Sequence, residues 1–489
     1  MELTKGLGAH FSALAAAHPE REALVCGDQR MTFAELEGKG NQVARALAAL
    51  GAGPARAVGI ALHNRVEFLV AALAAWKLGG YPLPVSWRAP RPERDGLLSL
   101  VDVAVTVVED GSDGAGTVAV GELMRDAGDR SSDPHPDVPT DPWKAIGSGG
   151  STGRPKLILT PGPPGLGKAA SEVVRRYGIR PEGRQLVAGP LYHNGPFAWG
   201  SSHLMAGGTI VIMERFDAAD YLAMLDAEAI NWGFVVPTMM KRITDLPTEV
   251  RDAHDLGSVD YLLHSAAPCP AWLKRRFMEL IGPERLLEFY GSTEGHCFCI
   301  IDGKEWLEHP GSVGRPANEV HILDEDGGEL PTGEVGEIYA RPAGDPTFTY
   351  VGSEARVRDG MVSVGDMGWL DPDGYLFIAD RRTDMLISGG SNVYPAEVEA
   401  ALLEHPGVGD VGVIGLPDEE WGQRIHAIVQ PLDPQSPPTT EDLDRFCRQR
   451  LAGYKAPRSY ELVEVLPRDP SGKLRRSDLR KARVPEGSA

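Results

Sequence analysis

Apolar residues recur along this chain with helical spacing in some segments and as short unbroken runs in others. Residues 32–50 place apolar side chains on one helical face, and Thr32 precedes them as a helix N-cap. Residues 57–64 are typical of a buried strand, and residues 67–80 predict a helix that ends at two glycines. Such alternation predicts mainly parallel sheets flanked by helices. Further short apolar strands, separated by helical segments, are predicted at residues 103–109, 184–190, 208–214 and 231–237.

The pattern changes after about residue 310. Residues 311–342 are dense in turn residues and short alternating strands, which predicts a small β-rich subdomain. The chain as a whole is predicted to be an α/β protein of two domains: residues 1–380, with two helix-flanked, mainly parallel sheets and the β subdomain, and residues 381–489, a small α+β domain. In the second domain the predicted helices are 395–407 and 441–453, and the predicted strands are 410–417 and 425–431.

The composition is that of a soluble protein, and it narrows the range of partners. The 489 residues are 42% hydrophobic and 24% charged, with a net charge of −20 and a pI of about 5.1. Because non-specific binding to nucleic acid or to an anionic membrane needs a basic surface, we expect neither partner. No apolar run approaches the roughly 20 residues of a membrane span, and the N-terminal segment lacks a signal-peptide pattern. We therefore expect no membrane insertion and a cytoplasmic location.

The chain has five cysteines, widely spaced and odd in number, which favours reduced thiols over a disulfide framework. Cys297 and Cys299 have a spacing that a metal-binding pair can use, but the sequence has no second Cys or His pair at ligand spacing. We therefore interpret them as half-buried residues on one face of a strand.

Residues 147–156, GSGGSTGRPK, form a polar loop after a short predicted strand at 143–146. Free backbone N–H groups, short hydroxyl side chains and the ammonium group of Lys156 are groups that bind a polyphosphate. The alternative is an ordinary flexible surface loop. A second glycine-rich segment, residues 162–169, has P-loop spacing but ends in Ala169 and contains two prolines, so we reject it as a phosphate site.

Four later segments carry side chains that can bind a ligand or take part in a reaction. Residues 290–294, YGSTE, place a hydroxyl and a carboxylate beside a turn, which suits a phosphate contact and a Mg²⁺ ligand. Asp366 lies at a predicted strand end, where a carboxylate can accept hydrogen bonds from ribose hydroxyls. The charged run at 380–384 and the segment PRDPSGK at 467–473 complete the set. Taken singly, each also has a structural interpretation, as a satisfied turn, a hairpin Asp, a solvated charge cluster or a surface lysine.

In this order, the segments resemble the adenylate-forming superfamily of acyl-CoA synthetases, nonribosomal-peptide adenylation domains and firefly luciferase. The resemblance extends over essentially the whole chain. The family's phosphate loop is similar to residues 148–156, its Tyr-Gly-x-Thr-Glu motif to residues 290–294, and its Gly-Gly-x-Asn motif to the start of residues 389–399. The family's ribose-binding Asp, hinge-preceding Arg and C-terminal Lys match Asp366, Arg381 and Lys473.

The resemblance implies two half-reactions at one site. A carboxylate attacks the α-phosphorus of ATP and releases pyrophosphate, and the thiol of coenzyme A then displaces AMP from the acyl-adenylate. The implied metal is Mg²⁺, with Glu294 as its ligand. The resemblance also implies that the β- and γ-phosphates lie against Ser148, Ser151, Thr152, Gly153 and Lys156, and that the rest of the nucleotide lies against Tyr290, Gly291, Ser292, Thr293, Asp366 and Arg381.

Lys473 is implied to neutralise charge between the carboxylate and the α-phosphate. An exposed lysine with a pKa near ~10.4 is cationic at pH 7, as this role requires. Because Lys473 belongs to the small domain, the resemblance implies that this domain is mobile and rotates to place Gly389 and Gly390 beside a thiol tunnel. The family's hinge position, usually Lys or Asp, is Thr383 here, which leaves the details of the hinge open.

Residues 190–197, PLYHNGPF, are similar to the family's gate beside the acyl pocket, with His193 as the gate residue; a structural His in a turn is the alternative. Amino-acid-activating relatives carry Phe-Asp where this chain has His193 and Asn194. An ammonium group without a carboxylate partner is costly in an apolar pocket, so we expect the partner to be a small-molecule carboxylic acid without an α-amino group. Room for a bulky acid is weakly favoured by the small residues Gly195, Ala266 and Gly291.

Other functions stay open. An adenylation enzyme that loads a carrier protein would share every nucleotide motif, although no carrier domain or Gly-x-Asp-Ser site follows Lys473, which favours free coenzyme A. A non-catalytic ligand-binding relative is expected to have lost Lys473 or Glu294, and both are present. An oxygenase similar to luciferase also begins with adenylation. The sequence leaves the acid unnamed and does not decide whether the protein forms a homodimer.

Overall fold

The computed structural model describes residues 6–110, 116–148, 156–162, 177–180, 182–292, 294–295, 297–342, 348–352, 354–388, 391–418, 420–469 and 472–484. For Ser148, the last residue of a strand, only the backbone is described. The predicted site residues that lie outside the described residues are Ser151, Thr152, Gly153, Thr293, Gly389 and Gly390.

The secondary structure of the described residues alternates between strands and helices. The strands are β1 Glu22–Cys26, β2 Gln29–Thr32, β3 Ala57–Ala61, β4 Tyr81–Pro84, β5 Val103–Val108, β6 Thr117–Ala119, β7 Lys144–Ser148, β8 Lys156–Thr160, β9 Arg184–Val187, β10 Thr209–Ile212, β11 Trp232–Val235, β12 Tyr261–His264, β13 Leu286–Gly291, β14 Phe298–Asp302, β15 Ser312–Gly314, β16 Val320–Leu323, β17 Gly336–Ala340, β18 Thr349–Val351, β19 Val357–Arg358, β20 Met361–Leu370, β21 Leu376–Arg381, β22 Leu386–Ser388, β23 Ser391–Val393, β24 Val408–Asp418, β25 Gly422–Pro431 and β26 Ser459–Leu462. The helices are α1 Leu7–Ala17, α2 Phe33–Ala49, α3 Val66–Lys77, α4 Arg91–Leu98, α5 Val120–Gly128, α6 Asn194–Met205, α7 Ala218–Ala227, α8 Pro237–Thr244, α9 Thr248–Arg251, α10 Ala271–Ile281, α11 Gly303–Glu308, α12 Pro395–Leu403, α13 Thr440–Arg448 and α14 Arg476–Lys481.

Two largely parallel sheets form the body of the molecule. The larger has the strand order β14-β13-β12-β11-β9-β10-β1-β2, in which only the edge strands β2 and β14 are antiparallel to their neighbours. The smaller, β4-β3-β5-β6, is parallel throughout. One hydrophobic core joins strands of both sheets to helices α1, α2 and α3. Such burial on both faces explains why these strands are continuous apolar runs rather than alternating ones.

The rest of the chain forms smaller sheets. The antiparallel sheet β15-β21-β20-β17-β16, with β19 beside β20, extends the predicted β-rich region as far as Arg381. A three-stranded sheet, β18-β8-β7, flanks the segment 147–156. In the C-terminal region, β24-β25-β26 pack with α12 and α13 around a core of their own. The predicted α/β class, with a large N-terminal and a small C-terminal domain, is confirmed; the boundary between residues 380 and 381 stays a prediction.

Local signals account for several helix ends. Thr32 and Glu35 form a capping box, in which Thr32 Oγ1 accepts from Glu35 N at 3.2 Å and Glu35 Oε2 accepts from Thr32 N at 2.8 Å. Helix α3 ends before Gly79, whose φ of +71° suits glycine. Helix α12 ends at Leu403, four residues earlier than predicted, because Pro406 disfavours helical backbone at the preceding residue.

Cys297 and Cys299 are both fully buried, not half-buried as expected. They lie at the edge strand β14, where Cys299 is opposite Tyr290 of β13. A hydrogen bond between the Cys299 and Cys297 thiols and burial both raise the pKa of Cys299, so its thiol is protonated at neutral pH. Among the described residues, no helix is long and apolar enough to cross a membrane.

The strand directions bring the candidate residues to one edge of the larger sheet. Strands β9, β11, β12 and β13 are parallel neighbours, so their carboxyl ends lie side by side. His193, Thr238 and Ser292 follow three of these strand ends in the chain. Ligands of open parallel sheets bind outside the carboxyl ends of the strands, which makes this edge the place to look for a site.

Candidate active site

Tyr290, Asp366 and Arg381 form one side of the candidate site. Asp366 of β20 lies opposite Arg381 of β21, and Tyr290 Oη donates a hydrogen bond to Asp366 Oδ2 at 2.7 Å. Dehydration raises the pKa of Asp366, while the Arg381 charge and the Tyr290 hydrogen bond oppose the change. Dehydration and the Asp366 charge raise the pKa of Tyr290, so this tyrosine is a neutral donor. A carboxylate has about four lone-pair sites, so Asp366 can accept further hydroxyl donors.

Lys156 and Glu294 lie on the phosphate-loop side. Lys156 Nζ is 3.9 Å from Glu294 Oε1 and 4.4 Å from the centre of the Tyr350 ring. Tyr350 Oη donates to the same Glu294 oxygen, and dehydration raises the pKa of Tyr350. Tyr350 belongs to β18, which pairs with β8, the strand that begins at Lys156. The sequence analysis missed Tyr350, because only this strand pairing brings it to the site.

Lys473 enters the site from the C-terminal region. Its side chain keeps contact with solvent, but nearby protein groups partly desolvate the ammonium. This desolvation lowers the pKa of Lys473 below that of an ordinary exposed lysine. The Arg381 charge also lowers the pKa of Lys473, whereas Asp469, Asp366 and Glu294 act in the opposite direction. These interactions place the ammonium group among the charges of both sides of the site. The expectation that Lys473 has the pKa of an ordinary exposed lysine is therefore wrong.

Gly472 explains how this approach is possible. Its φ is +80°, and a Cβ added there would lie 2.7 Å from Thr238 Oγ1. A side chain at residue 472 would therefore have a strained backbone and would require Thr238, at the start of α8, to move. Beside this contact, Arg475 is 3.5 Å from Glu93 of α4, an exposed ion pair across the same cleft. Glycine at residue 472 thus suits the backbone that leads into Lys473.

His193 precedes helix α6 and is half-buried. Burial lowers its pKa to about 4, with the Asp469 charge opposing and the Lys473 charge assisting, so the imidazole is neutral at pH 7. Its Nε2 has no hydrogen-bond partner among the described residues, and its ring lies 4.6 Å from that of Tyr192. The structure thus brings His193 to the face that meets Asp469 and Lys473, and its role as the gate stays a prediction.

Aromatic rings occupy the space that small residues leave on the acyl side. A Cβ on Gly195 would lie 2.8 Å from Cζ of Phe234, and one on Gly291 would lie 2.8 Å from Cζ of Phe289. Trp199 meets the Phe289 ring edge to face, with 5.8 Å between ring centres. Gly195 and Gly291 therefore do not support the expectation of a bulky acid, because phenylalanine rings fill the space beside them.

A buried lysine that the sequence analysis did not single out lies beside this region. Lys144 of β7 is 3% exposed, donates to Asn194 Oδ1 and lies 4.8 Å from the centre of the Trp143 ring. No carboxylate among the described residues pairs with it. Burial lowers the pKa of Lys144 to about 7. The sequence did contain a signal for Lys144: it is a lysine within the short predicted strand at 143–146, where an aliphatic residue is expected.

Replacing Lys144 by Met is expected to stabilise the protein, most strongly at and below neutral pH. The folded pKa of about 7 lies below the unfolded value of ~10.4, so below pH 7 the folded state carries the full cost of a buried charge. As the pH rises above 7, Lys144 becomes neutral in the folded protein while it stays protonated in the unfolded chain. The free-energy cost of the buried charge therefore declines. Urea unfolding should show the stability gap between Lys144→Met and wild type narrowing by about 2 kcal/mol from pH 7 to pH 9.

Lys77 provides the matched control for this prediction. It is also buried, at 2% exposure, but its Nζ lies 2.7 Å from the carboxylate of Glu37. Lys77→Met leaves that carboxylate without its partner and should destabilise the protein. A Lys144→Met gap that is constant with pH would contradict the argument, since packing alone gives no such dependence.

The comparisons with known proteins show the family to which the chain belongs. The sequence family described as AMP-binding enzyme matches residues 11–344, and that described as AMP-binding enzyme C-terminal domain matches residues 397–473. A feruloyl-CoA synthase of Amycolatopsis sp is 34% identical over 495 residues, covering 98% of this chain and 99% of the relative. The fatty acid–acyl-carrier-protein ligase ScoC of Streptomyces coeruleorubidus is 30% identical over 493 residues, covering 94% and 93%.

Solved structures share the same architecture. The o-succinylbenzoate CoA synthetase of Bacillus subtilis, in complex with its acyl-adenylate intermediate, superposes with a TM-score of 0.83 at 28% identity. The match covers 98% of this chain and 99% of the other. The likeness therefore extends over both domains of the fold.

Proposed function

Because the chain belongs to the AMP-binding enzymes, we propose that it is an acid–thiol ligase that converts a carboxylic acid without an α-amino group to its coenzyme A thioester. The first half-reaction joins a carboxylate oxygen to the α-phosphorus of ATP and releases pyrophosphate. The second joins the coenzyme A sulfur to the acyl carbon and releases AMP. One observation carries this proposal. The Asp366–Arg381 pair and the Glu294 carboxylate, which lies beside Lys156, are near enough to Lys473 for their charges to act on its ammonium group.

The chemical obstacle in the first half-reaction is the approach of an anion to a polyanion. Catalysis therefore depends on positioned cations more than on proton transfer. In this proposal Lys156 attracts the departing phosphates, while Lys473 neutralises charge between the carboxylate and the α-phosphate. Asp366, oriented by the Tyr290 hydroxyl, accepts hydrogen bonds from the ribose hydroxyls, and Arg381 donates hydrogen bonds to the ribose oxygens.

Glu294 is the residue that would hold Mg²⁺. Hard divalent cations prefer carboxylate oxygens, and a carboxylate that accepts one hydroxyl bond, as Glu294 does from Tyr350, keeps further acceptor sites. The nearby ammonium of Lys156 belongs to the same phosphate-binding region. When bound, the metal supplies positive charge to the phosphates.

The acyl side favours a flat aromatic acid. Phe234, Phe289 and Trp199 supply ring surfaces where small residues had suggested open space. An ammonium group on the substrate would meet the Lys144–Asn194 pair, which offers it no carboxylate. Relatives named for feruloyl and o-succinylbenzoate groups, both aromatic acids, support the same choice.

A carrier protein is the second candidate acceptor. The relative named as an acyl-carrier-protein ligase aligns with nearly the whole chain and gives this alternative specific support. A non-catalytic binding role is the weaker candidate, since Lys473 and Glu294 are both present and both lie in the cleft.

The present arrangement corresponds to the adenylating state in this proposal, with a small domain of residues 381–489 that rotates near Thr383. Asp380 of β21 accepts a hydrogen bond at 2.8 Å from Ala396 N, in the first turn of α12. This bond spans the proposed pivot and holds the small domain where Lys473 meets the site. Coenzyme A would then act after the domain has turned.

A pyrophosphate-release screen tests the function. The purified protein is given ATP, Mg²⁺ and a panel of benzoic, cinnamic, aliphatic and amino acids, with coenzyme A, with a phosphopantetheinylated carrier protein, or with neither. We expect pyrophosphate and AMP with aromatic acids, no release with amino acids, and an acyl-CoA product by mass spectrometry. Conversion of ATP to ADP, or no ATP binding at all, would sink the proposal. Thioester on the carrier alone would select the second candidate.

A further inference from the structure

The described residues of the segment that carries Lys473 are joined by short-range hydrogen bonds. Asp469 N donates to Lys473 O at 2.9 Å, Gly472 N donates to Asp469 O at 2.8 Å, and Lys473 N donates to Asp469 Oδ1 at 3.0 Å. Arg468 and Leu474 form an isolated antiparallel bridge. A hairpin this short has a marginal stability of its own, so its position must be set by contacts with the rest of the small domain.

Arg468 supplies such a contact. Its Nε and Nη2 donate to Asp410 Oδ2 and Oδ1 at 2.6 and 2.7 Å, and its Nη1 donates to Gly472 O at 2.9 Å. Asp410 belongs to β24, the longest strand of the small domain's sheet. Both side chains are only about one-fifth exposed, at 21% and 20%. The guanidinium therefore ties the carbonyl immediately before Lys473 to a fixed strand.

The geometry leaves little tolerance for movement at Gly472. A Cβ at Gly472 would lie 2.7 Å from Thr238 Oγ1, and the charges of Arg381 and Asp366 act on the next residue, Lys473. If Gly472 O were released from Arg468, the hairpin could shift without breaking the small domain's core. A displacement of about 1 Å of a catalytic group can lower a rate about 10²-fold.

We propose that Arg468 is a positioning residue for adenylation: by binding Asp410 and Gly472 O together, it fixes the point from which Lys473 reaches the α-phosphate. The proposal rests on the proposed function. The second half-reaction does not require Lys473 in the site, so it should not depend on Arg468.

Arg483 offers a closely matched control in the same domain. Its Nε and Nη2 donate to Glu461 at 2.6 and 2.8 Å, and its Nη1 donates to Leu479 O at 3.0 Å. Like Arg468, it therefore binds two carboxylate oxygens and a carbonyl, although Arg468 has a further, longer bond to Val411 O at 3.4 Å. Arg483 is 19% exposed and Glu461 39%, and no contact in the described residues links Arg483 to 468–474. If the loss of a salt bridge were the whole effect, Arg468→Ala and Arg483→Ala should change the rates in the same way.

The test measures the two half-reactions separately in the full-length protein. Adenylation is followed by ATP–pyrophosphate exchange with the best acid from the screen, and thioester formation is followed from synthetic acyl-adenylate and coenzyme A. Arg468→Ala should lower kcat for exchange about 10- to 100-fold with little change in the KM for ATP, and should leave thioester formation within about three-fold. Arg483→Ala should leave both half-reactions within the same three-fold range.

Two further variants keep the test decisive if Arg468→Ala unfolds. Arg468→Lys keeps the charge but cannot make the forked pair and the carbonyl bond together, so it should also lose exchange selectively. Asp410→Asn keeps the size and should have a smaller effect of the same kind. Equal loss of both half-reactions in a folded variant, or an equal effect of Arg483→Ala, overturns the proposal. Absence of exchange in wild type with every acid instead contradicts the proposed function.

Discussion

Replacing Lys473 by Ala is expected to lower adenylation by about 10²- to 10³-fold, because one preorganised charge at the reacting phosphate is lost. The charges of Arg381, Asp366 and Glu294 act on the pKa of Lys473, and in the proposed function its ammonium lies beside the reacting phosphate. ATP–pyrophosphate exchange measures this step directly. Thioester formation from supplied acyl-adenylate should remain within about three-fold, since the carboxylate and the triphosphate no longer meet in that half-reaction.

Lys481 of helix α14 is a suitable control for the loss of a positive charge. It is an exposed lysine of the same domain and lies on the helix that follows Lys473. Lys481→Ala should leave both half-reactions unchanged. A Lys473→Ala variant that loses both half-reactions equally would remove the specific role and leave only a structural one.

Replacing Glu294 by Gln is expected to lower adenylation by about 10²-fold and to raise the Mg²⁺ concentration needed for half-maximal rate. The amide keeps the size of the side chain and can still accept from Tyr350, but it removes the anionic oxygen that a hard cation requires. The change also removes the negative partner of Lys156, whose Nζ lies 3.9 Å away. Exchange rates measured across a Mg²⁺ titration give both quantities.

Tyr350→Phe separates the metal effect from the packing effect. This variant keeps the ring that faces Lys156 but removes the hydroxyl that donates to Glu294. It should reduce exchange by no more than about ten-fold and should leave the Mg²⁺ requirement nearly unchanged. If Glu294→Gln shows wild-type Mg²⁺ dependence, Glu294 does not hold the metal.

Much of the fold was predictable because its signals are local. The capping box of Thr32, the glycines after α3 and the unbroken apolar runs of the parallel strands each depend on a few neighbouring residues. The predicted end of α12 was wrong because helical periodicity was followed into residues whose backbone Pro406 restricts. Element types were thus easier to predict than element ends.

The site was predictable only where a motif marked it. Tyr290, Asp366, Arg381 and Lys473 come from distant segments, and the structure brings them into one cleft. Tyr350 gave no signal, because its place beside Glu294 results from strand pairing across the chain.

Size and charge in the site were harder to infer. The space beside Gly195 depends on where the Phe234 ring turns, which no sequence pattern records. The pKa of Lys473 depends on neighbours from three separate segments, and so its shift followed only from the assembled cleft.

The bond from Ala396 N to Asp380 has a kinetic consequence. Asp380 is 5% exposed, and burial raises the pKa of its carboxyl, so this acid depends on its backbone donors and on the nearby Arg476 charge. A turn about Thr383 would withdraw the Ala396 donor and leave a dehydrated carboxylate to be rehydrated or protonated. In the proposed rotation, part of the barrier would then lie at the buried carboxylate of Asp380 and not only in the flexibility of the pivot.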